Sequence, residues 1–244
     1  MTFACVLKAK KQRVYSPIWV ERLVRQAREH LRPSRIVCLT DTPLTCCETI
    51  PLAHDWATWF SKIELFRPGL FSGPTFYVDL DSLILGSIAE LERLIVEHGR
   101  LMMLDDLYEP EQPASGIMAW VPSPETSRIY SDFVRDPAAG MRTRDGDGGW
   151  IGQYPHLRLQ NLFPGVFRSF KADKLDAGPG DTKICCFHGT PKFNDLDPVH
   201  WAYRAWEGSD GRSAVATNFR RLRWRLRVVA RRLKHGLKRV AGRS

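Results

Sequence analysis

The alternation of apolar and polar positions divides the chain into short strands and helices. Phe3–Leu7 and Arg35–Thr40 are apolar runs of strand character. Between them Ser16 can cap a helix and Pro17 suits its first turn. Trp19, Val20, Leu23, Val24 and Ala27 give that helix an apolar stripe, and Arg32-Pro33-Ser34 ends it. The order is β-α-β, with the spacing of a right-handed crossover. Lys8–Val14 reads as a basic loop and residues 41–55 as irregular. Trp56, Trp59, Phe60, Ile63 and Phe66 have helical spacing. Strands are predicted at Thr75–Val78, Leu83–Leu85, Arg100–Leu104, Ser115–Val121, Val166–Phe170 and Lys183–Phe187, with helices at Ile88–Glu97 and Pro124–Val134. Gly140–Gly152 holds five glycines and two aspartates and reads as a mobile loop. Alternating strands and helices predict an α/β domain with a largely parallel or mixed sheet. In such sheets ligands bind beyond the carboxyl ends of the strands.

Composition adds to this picture in two places. The 244 residues are 43% hydrophobic and 26% charged, which excludes a disordered chain. No apolar run approaches the ~18–20 residues of a membrane span. The opening residues lack the order of a secretion signal. The six cysteines include two adjacent pairs and no CxxC spacing, so neither a disulfide framework nor a zinc site is predicted. Together these place the chain in the reducing cytosol. The net charge of +9 is unevenly placed: 12 of the 36 Lys and Arg lie from Gly211 onward, where there is no acid. The remainder carries 24 basic against 27 acidic residues. A nucleic-acid-binding body carries its own basic surface, and this body does not.

The sharpest chemical feature is Phe76-Tyr77-Val78-Asp79-Leu80-Asp81. An apolar strand delivers two carboxylates at i and i+2, which on an extended backbone share one face. Their mutual repulsion is relieved by a cation between them. Hard oxygen ligands suit Mg²⁺ or Mn²⁺, which in turn suit a diphosphate. A solvated strand end is the alternative reading.

Two enzyme classes end a strand in DxD. VDLDSL superficially resembles the first motif of the haloacid-dehalogenase phosphatases, in which the first Asp is a nucleophile and a lysine and paired acid follow; Asp105-Asp106 is the candidate pair. Two or more strands precede the motif here, and Ser82-Leu83 departs from that pattern. The context SKIELFRPGLFSGPTFYVDLDSLILGSI, from Ser61, looks like the glycogenin-like and bacterial lipopolysaccharide-galactosyltransferase-like family of nucleotide-sugar glycosyltransferases, family 8. Ser115-Gly116-Ile117-Met118 is similar to that family's N-[SA]-G-hydrophobic strand, Gly146-Asp147 resembles its G-D-Q loop, and ICCFHGTPK (184–192) resembles its HFxGxxKPW segment. The resemblance covers roughly residues 3–195, with the motifs in the family's order.

The resemblance implies a GT-A-like α/β fold, a mixed and mostly parallel sheet flanked by helices, over residues 1–210. It implies that Asp79 and Asp81, with Leu80 between them, hold Mn²⁺ (or Mg²⁺) and through it the diphosphate of a nucleotide sugar, a UDP-sugar in this family. Lys62 matches the helix lysine that reaches the donor, and Gly189 and Lys192 match the residues that close over the diphosphate. Ser115, Gly116 and Asp147 lie around the transferred sugar and the acceptor hydroxyl, making Asp147 and Lys192 the catalytic candidates; Val6 and Tyr15 are placed at the base. The family's metal histidine corresponds to Cys186 here, and His188, two residues on along the strand, is the third metal-ligand candidate. Phe193 replaces a proline and Gly148 a glutamine of the family pattern. The family retains anomeric configuration. Its members elongate glycans or lipid-linked acceptors, which in bacteria lie at the inner face of the membrane. A non-catalytic nucleotide-sugar-binding protein on the membrane is a further alternative.

The remaining residues, 211–244, form a basic tail. Phe219, Leu222, Leu226, Val229, Leu233, Leu237 and Val240 fall within an arc of roughly 80° on a helix, with every Lys and Arg outside it. The spacing predicts an interfacial helix over 219–240 on an anionic bilayer, or a helix docking its stripe on the body, with the chain peripheral on the cytoplasmic face. Trp224 falls opposite the stripe.

Overall fold

A computed structural model of the chain describes residues 1–10, 14–208 and 224. The chain divides into two compact units, Met1–Cys186 and Phe187–Ser244. The expected tail helix lies outside the described residues except for Trp224. Among the described residues no helix is long and apolar enough to cross a membrane.

The first unit is built on a seven-stranded sheet. Its strands are β1 (Thr2–Leu7), β2 (Arg35–Thr40), β3 (Glu48–Pro51), β4 (Thr75–Val78), β6 (Leu101–Asp105), β7 (Pro113–Trp120) and β8 (His156–Arg158). They stand in the order β3-β2-β1-β4-β7-β6-β8. Neighbours pair in parallel except at β7, which runs antiparallel to both β4 and β6. Helix α1 (Pro17–His30) makes the β1-to-β2 crossover, and its predicted stripe is the face it buries. Ser16 sits at its N-cap position in extended conformation, but its side chain makes no capping bond. The central strands are buried on both faces, as a sheet covered by helices requires. β3 was not expected: its four residues are half exposed and carry no apolar run. At that edge Arg35 grips the carboxylate of Glu48 with two bonds of 2.9 and 2.6 Å.

A second sheet holds β5 (Ser82–Ile84), β10 (Ile184–Cys186) and β9 (Phe167–Ser169), in the order β5-β10-β9. Helices α2 (Leu91–His98) and α3 (Pro124–Arg135) fall where the apolar spacing put them. No cysteine is in a disulfide; Cys5, Cys38, Cys185 and Cys186 are buried.

Two local readings need correction. The segment Trp56–Phe66 folds as a 3₁₀ helix over Thr58–Phe66 rather than as an α-helix. With three residues per turn, side chains eclipse at i and i+3. Every residue from Phe60 to Phe66 is buried, the polar Ser61, Lys62 and Glu64 included, while Trp59 at the start of the helix is 56% exposed. The glycine-rich segment is not a loop: it forms α4 (Pro137–Gly140) and α5 (Gly146–Ile151). Its glycines are there for close packing. A Cβ on Gly140 would meet the Phe133 ring at 2.5 Å, one on Gly149 the Arg144 carbonyl at 1.9 Å, and one on Gly152 Pro113 at 2.2 Å.

Candidate functional site

From β1 the chain crosses to β2 and then β3 on one side, whereas β4 lies on the other side of β1. This is the switch point of the sheet, and in such sheets ligands bind beyond the carboxyl ends of the flanking strands, here β1 and β4. Asp79 directly follows β4. Its N–H donates to the Gly116 carbonyl at 2.8 Å, and its own carbonyl accepts from the Ser82 N–H at 3.1 Å. The second bond closes a turn over Asp79-Leu80-Asp81-Ser82. The two carboxylates are thus presented by a turn and not by an extended strand end. Leu80 is buried within it.

Each carboxylate already has donors. The Tyr77 hydroxyl donates to Asp79 Oδ1, and Lys62 Nζ donates to Asp79 Oδ2 at 3.2 Å. The Tyr15 hydroxyl, from the segment after β1, donates to Asp81 Oδ2 at 2.9 Å. Lys62 is no surface lysine: it is buried, with Nζ 3.0 Å from Asp147 Oδ2 and 3.1 Å from Ser115 Oγ. Ser115 Oγ in turn donates to Asp147 Oδ2 at 2.5 Å. Asp147 is buried in the first turn of α5. Lys62, Asp79, Ser115 and Asp147 therefore form one network drawn from four separate segments. Gly116 lies beside it: a Cβ there would come 3.5 Å from Asp79 Oδ2.

The scaffold fixes these groups. Glu64, fully buried two residues past Lys62, accepts from the backbone N–H of Ala53 at 2.6 Å and of His54 at 2.9 Å. This ties the 3₁₀ helix to the loop after β3. Helix α5 lies close against β7, where Gly148 leaves its Cβ position 3.3 Å from the Pro113 carbonyl.

The electrostatics are those of crowded charge. Burial, reinforced by Asp81 and Asp147, lifts the Asp79 carboxyl to about 6 against the opposing pull of Lys62 and the Tyr77 hydroxyl. Burial would lower Lys62, but the carboxylates of Asp147 and Asp79 outweigh it and hold the ammonium above its ordinary value. Burial and the carboxylates of Asp81 and Asp79 push the Tyr15 hydroxyl well up. Cys186 ends β10, where its thiol is a partner of Ser82 Oγ at 3.8 Å. Burial and the same two aspartates push that thiol up to about 12.

Of the sequence candidates, Tyr15, Lys62, Asp79, Asp81, Ser115, Gly116 and Asp147 come together in the first unit. Val6 is half-buried near the end of β1. His188, Gly189 and Lys192 belong to the second unit. There Lys192 Nζ donates to the Phe187 carbonyl at 2.8 Å, and Gly189 adopts φ +66°. The Trp224 indole N–H donates to the Asp195 carbonyl at 2.9 Å, so the residue opposite the tail's apolar stripe has a partner in its own unit. Among the described residues no three or more His, Cys, Asp or Glu side chains cluster so as to hold a metal ion. The acidic pair Asp79 and Asp81 is the candidate ligand set. Sequence reasoning missed Tyr77 and Glu64: a tyrosine in an apolar strand and an acid in an apolar helix carry no sign of their partners.

No protein-family model and no curated protein sequence matches the chain. Solved structures do. The galactosyltransferase LgtC, in complex with donor and acceptor sugar analogs, superposes with a TM-score of 0.60 at 11% identity, over 85% of this chain and 94% of that one. The glycosyltransferase GlyE of Streptococcus pneumoniae TIGR4 gives 0.60 at 13% identity, over 89% and 62%. The bifunctional glycosyltransferase WbbM gives 0.50 at 12%, over 84% of this chain and 48% of that one. The mixed seven-stranded sheet with its helices is the GT-A-like fold of these glycosyltransferases.

Proposed function

We propose that the chain is a glycosyltransferase that moves a sugar from a nucleotide-sugar donor, a UDP-sugar, to a glycan or lipid-linked acceptor. The observation that carries this reading is the joining of Asp79 to Lys62, Ser115 and Asp147 at the switch point, with Asp81 and Tyr15 beside it. The fold shared with LgtC and GlyE supports it.

The donor set fits a divalent cation of the Mg²⁺ or Mn²⁺ class. Such ions are held by one or two carboxylates together with substrate phosphates, which suits a pair of aspartates better than a closed protein cage. Asp79 and Asp81 hold it, and when bound it supplies positive charge to the leaving diphosphate. His188 and Cys186 are the further candidates in sequence. Lys62 balances the negative charge of Asp79 and Asp147 beside the donor. Asp147, fixed by Lys62 and Ser115, orients the transferred sugar or the acceptor hydroxyl. No carboxylate in the network is unpartnered and poised as a nucleophile. The reading is therefore attack on the same face, with retained configuration, the leaving diphosphate taking the acceptor's proton. By the family resemblance, Lys192 and Gly189 are the sequence candidates for the diphosphate, and Val6 and Tyr15 for the base. An inverted product anomer would exclude this course.

Calorimetric titration of UDP with Mn²⁺ tests the donor site. Binding that disappears with EDTA and in Asp79→Ala/Asp81→Ala supports it; metal-independent binding, or none in folded protein, overturns the assignment. The phosphatase alternative requires a covalent phospho-Asp79, and the non-catalytic one requires donor binding without turnover.

The basic tail over 219–240 is read as a membrane anchor on the cytoplasmic face, its arginines meeting anionic headgroups. Leu226→Glu/Leu233→Glu in the full chain should release the protein from phosphatidylglycerol vesicles; unchanged binding would refute the anchor.

A further inference from the structure

Trp59 has no part in the donor reading, yet it stands out. It is a large aromatic side chain 56% exposed on a helix whose neighbouring Phe60 and Ile63 are buried. The 3₁₀ spacing aligns it with Lys62, one turn on. Its indole lies over Gly146: a Cβ there would come 2.9 Å from Trp59 Nε1 and 3.3 Å from Cδ1. Gly146 has φ +65°, so both the backbone and the indole demand a residue without a side chain. The next residue is Asp147, bound to Lys62.

The groups at the site therefore fall in a sequence. Tyr15 meets Asp81 on the β1 side, Asp79 and Asp147 both meet Lys62, and the Trp59 indole lies at Gly146, the residue before Asp147. In the glycosyltransferase reading above, the nucleoside lies toward Tyr15 and the transferred sugar toward Asp147. What meets Trp59 is then the acceptor. An indole face is electron-rich and rigid, and the C–H face of a pyranose ring is the complementary apolar surface in an otherwise hydroxylated molecule.

We propose that Trp59 is an acceptor-binding platform, on which a pyranose ring of the acceptor saccharide stacks beside Asp147. This rests on the glycosyltransferase reading above and adds the acceptor subsite to it. Trp59 is exposed, so its replacement leaves the core intact. The test compares wild type, Trp59→Ala and Trp59→Phe. UDP affinity is measured by calorimetry, and binding of lactose, maltose and cellobiose by saturation-transfer NMR and as acceptor KM with UDP-galactose or UDP-glucose. The expected result is an acceptor KM at least about tenfold higher in Trp59→Ala, largely restored in Trp59→Phe, with indole-dependent saturation transfer lost and UDP affinity within about twofold. Saccharide binding equal in wild type and Trp59→Ala overturns the platform while the donor reading stands, as does a wild type that turns over a UDP-sugar but binds none of the saccharides. A wild type with neither UDP binding nor sugar transfer removes the parent reading instead.

Discussion

The two ends of the site are built on opposite principles. At the Asp79 end, four polar side chains from distant segments bind one another, and position is set by charge and hydrogen bonding. At the Trp59 end, position is set by what is missing: glycines let the indole and α5 approach other groups without a Cβ between them. In the proposed reading the first end meets the charged diphosphate and the second a neutral, bulky saccharide. Substitutions should therefore act through electrostatics at one end and through shape at the other.

The largest effect is expected at the carboxylates. Asp79→Ala/Asp81→Ala should lower sugar transfer by roughly 10³-fold or more, the order of loss when a group stabilising transition-state charge is removed; a loss under tenfold would detach the acidic pair from the chemistry. Next is Lys62→Met, which leaves Asp147 and Asp79 without their counter-charge. Breaking a buried pair in this way costs about 3–5 kcal/mol. Thermal denaturation should show it, and Lys62→Met/Asp147→Asn should recover part of the loss; a double variant no better than the single one would mean that the lysine acts through packing. At the shape-determined end, Gly149→Ala puts a Cβ on the Arg144 carbonyl. Overpacking of this kind costs about 1–3 kcal/mol. Gly73→Ala, with nothing within 4 Å of the new carbon, should stay within about 0.5 kcal/mol. Equal effects at the two glycines would cancel the distinction.

A separate effect is read in pH. The folded chain holds the Asp79 carboxyl at about 6 against an ordinary 3.8. Between those values it binds more protons than the unfolded chain, so metal-free stability falls as pH rises through the window and levels above it. Asp79→Asn should remove that slope. A melting temperature with the same pH slope in both proteins would show that Asp79 is not the group responsible.

Much of this could be read from the chain. TFYV is made of strand-forming residues and is buried at every position, and the acidic pair following it marks the ligand end. Lys62, Ser115 and Asp147 are legible only through the resemblance to the glycosyltransferase motifs and their order, since nothing else in the local sequence marks them. The errors have physical causes. ETIP is an edge strand held by pairing and a surface ion pair, with no apolar signal. Five glycines in thirteen residues suggest freedom, but here they answer steric demands set by Phe133, Arg144 and Pro113, all distant or unmarked in the sequence. Trp59 falls on the apolar stripe of the sequence and is nonetheless exposed, because apolar spacing alone does not show where along the segment the chain enters the core.

The edges of the large sheet carry a consequence of their own. One border is a four-residue strand that ends in proline and presents the clamped Arg35–Glu48 pair; the other is the three-residue β8. Short, charged, proline-terminated borders offer little template for a foreign strand. The sheet is thereby closed to growth by strand addition, the route by which open-edged sheets polymerise into cross-β fibrils.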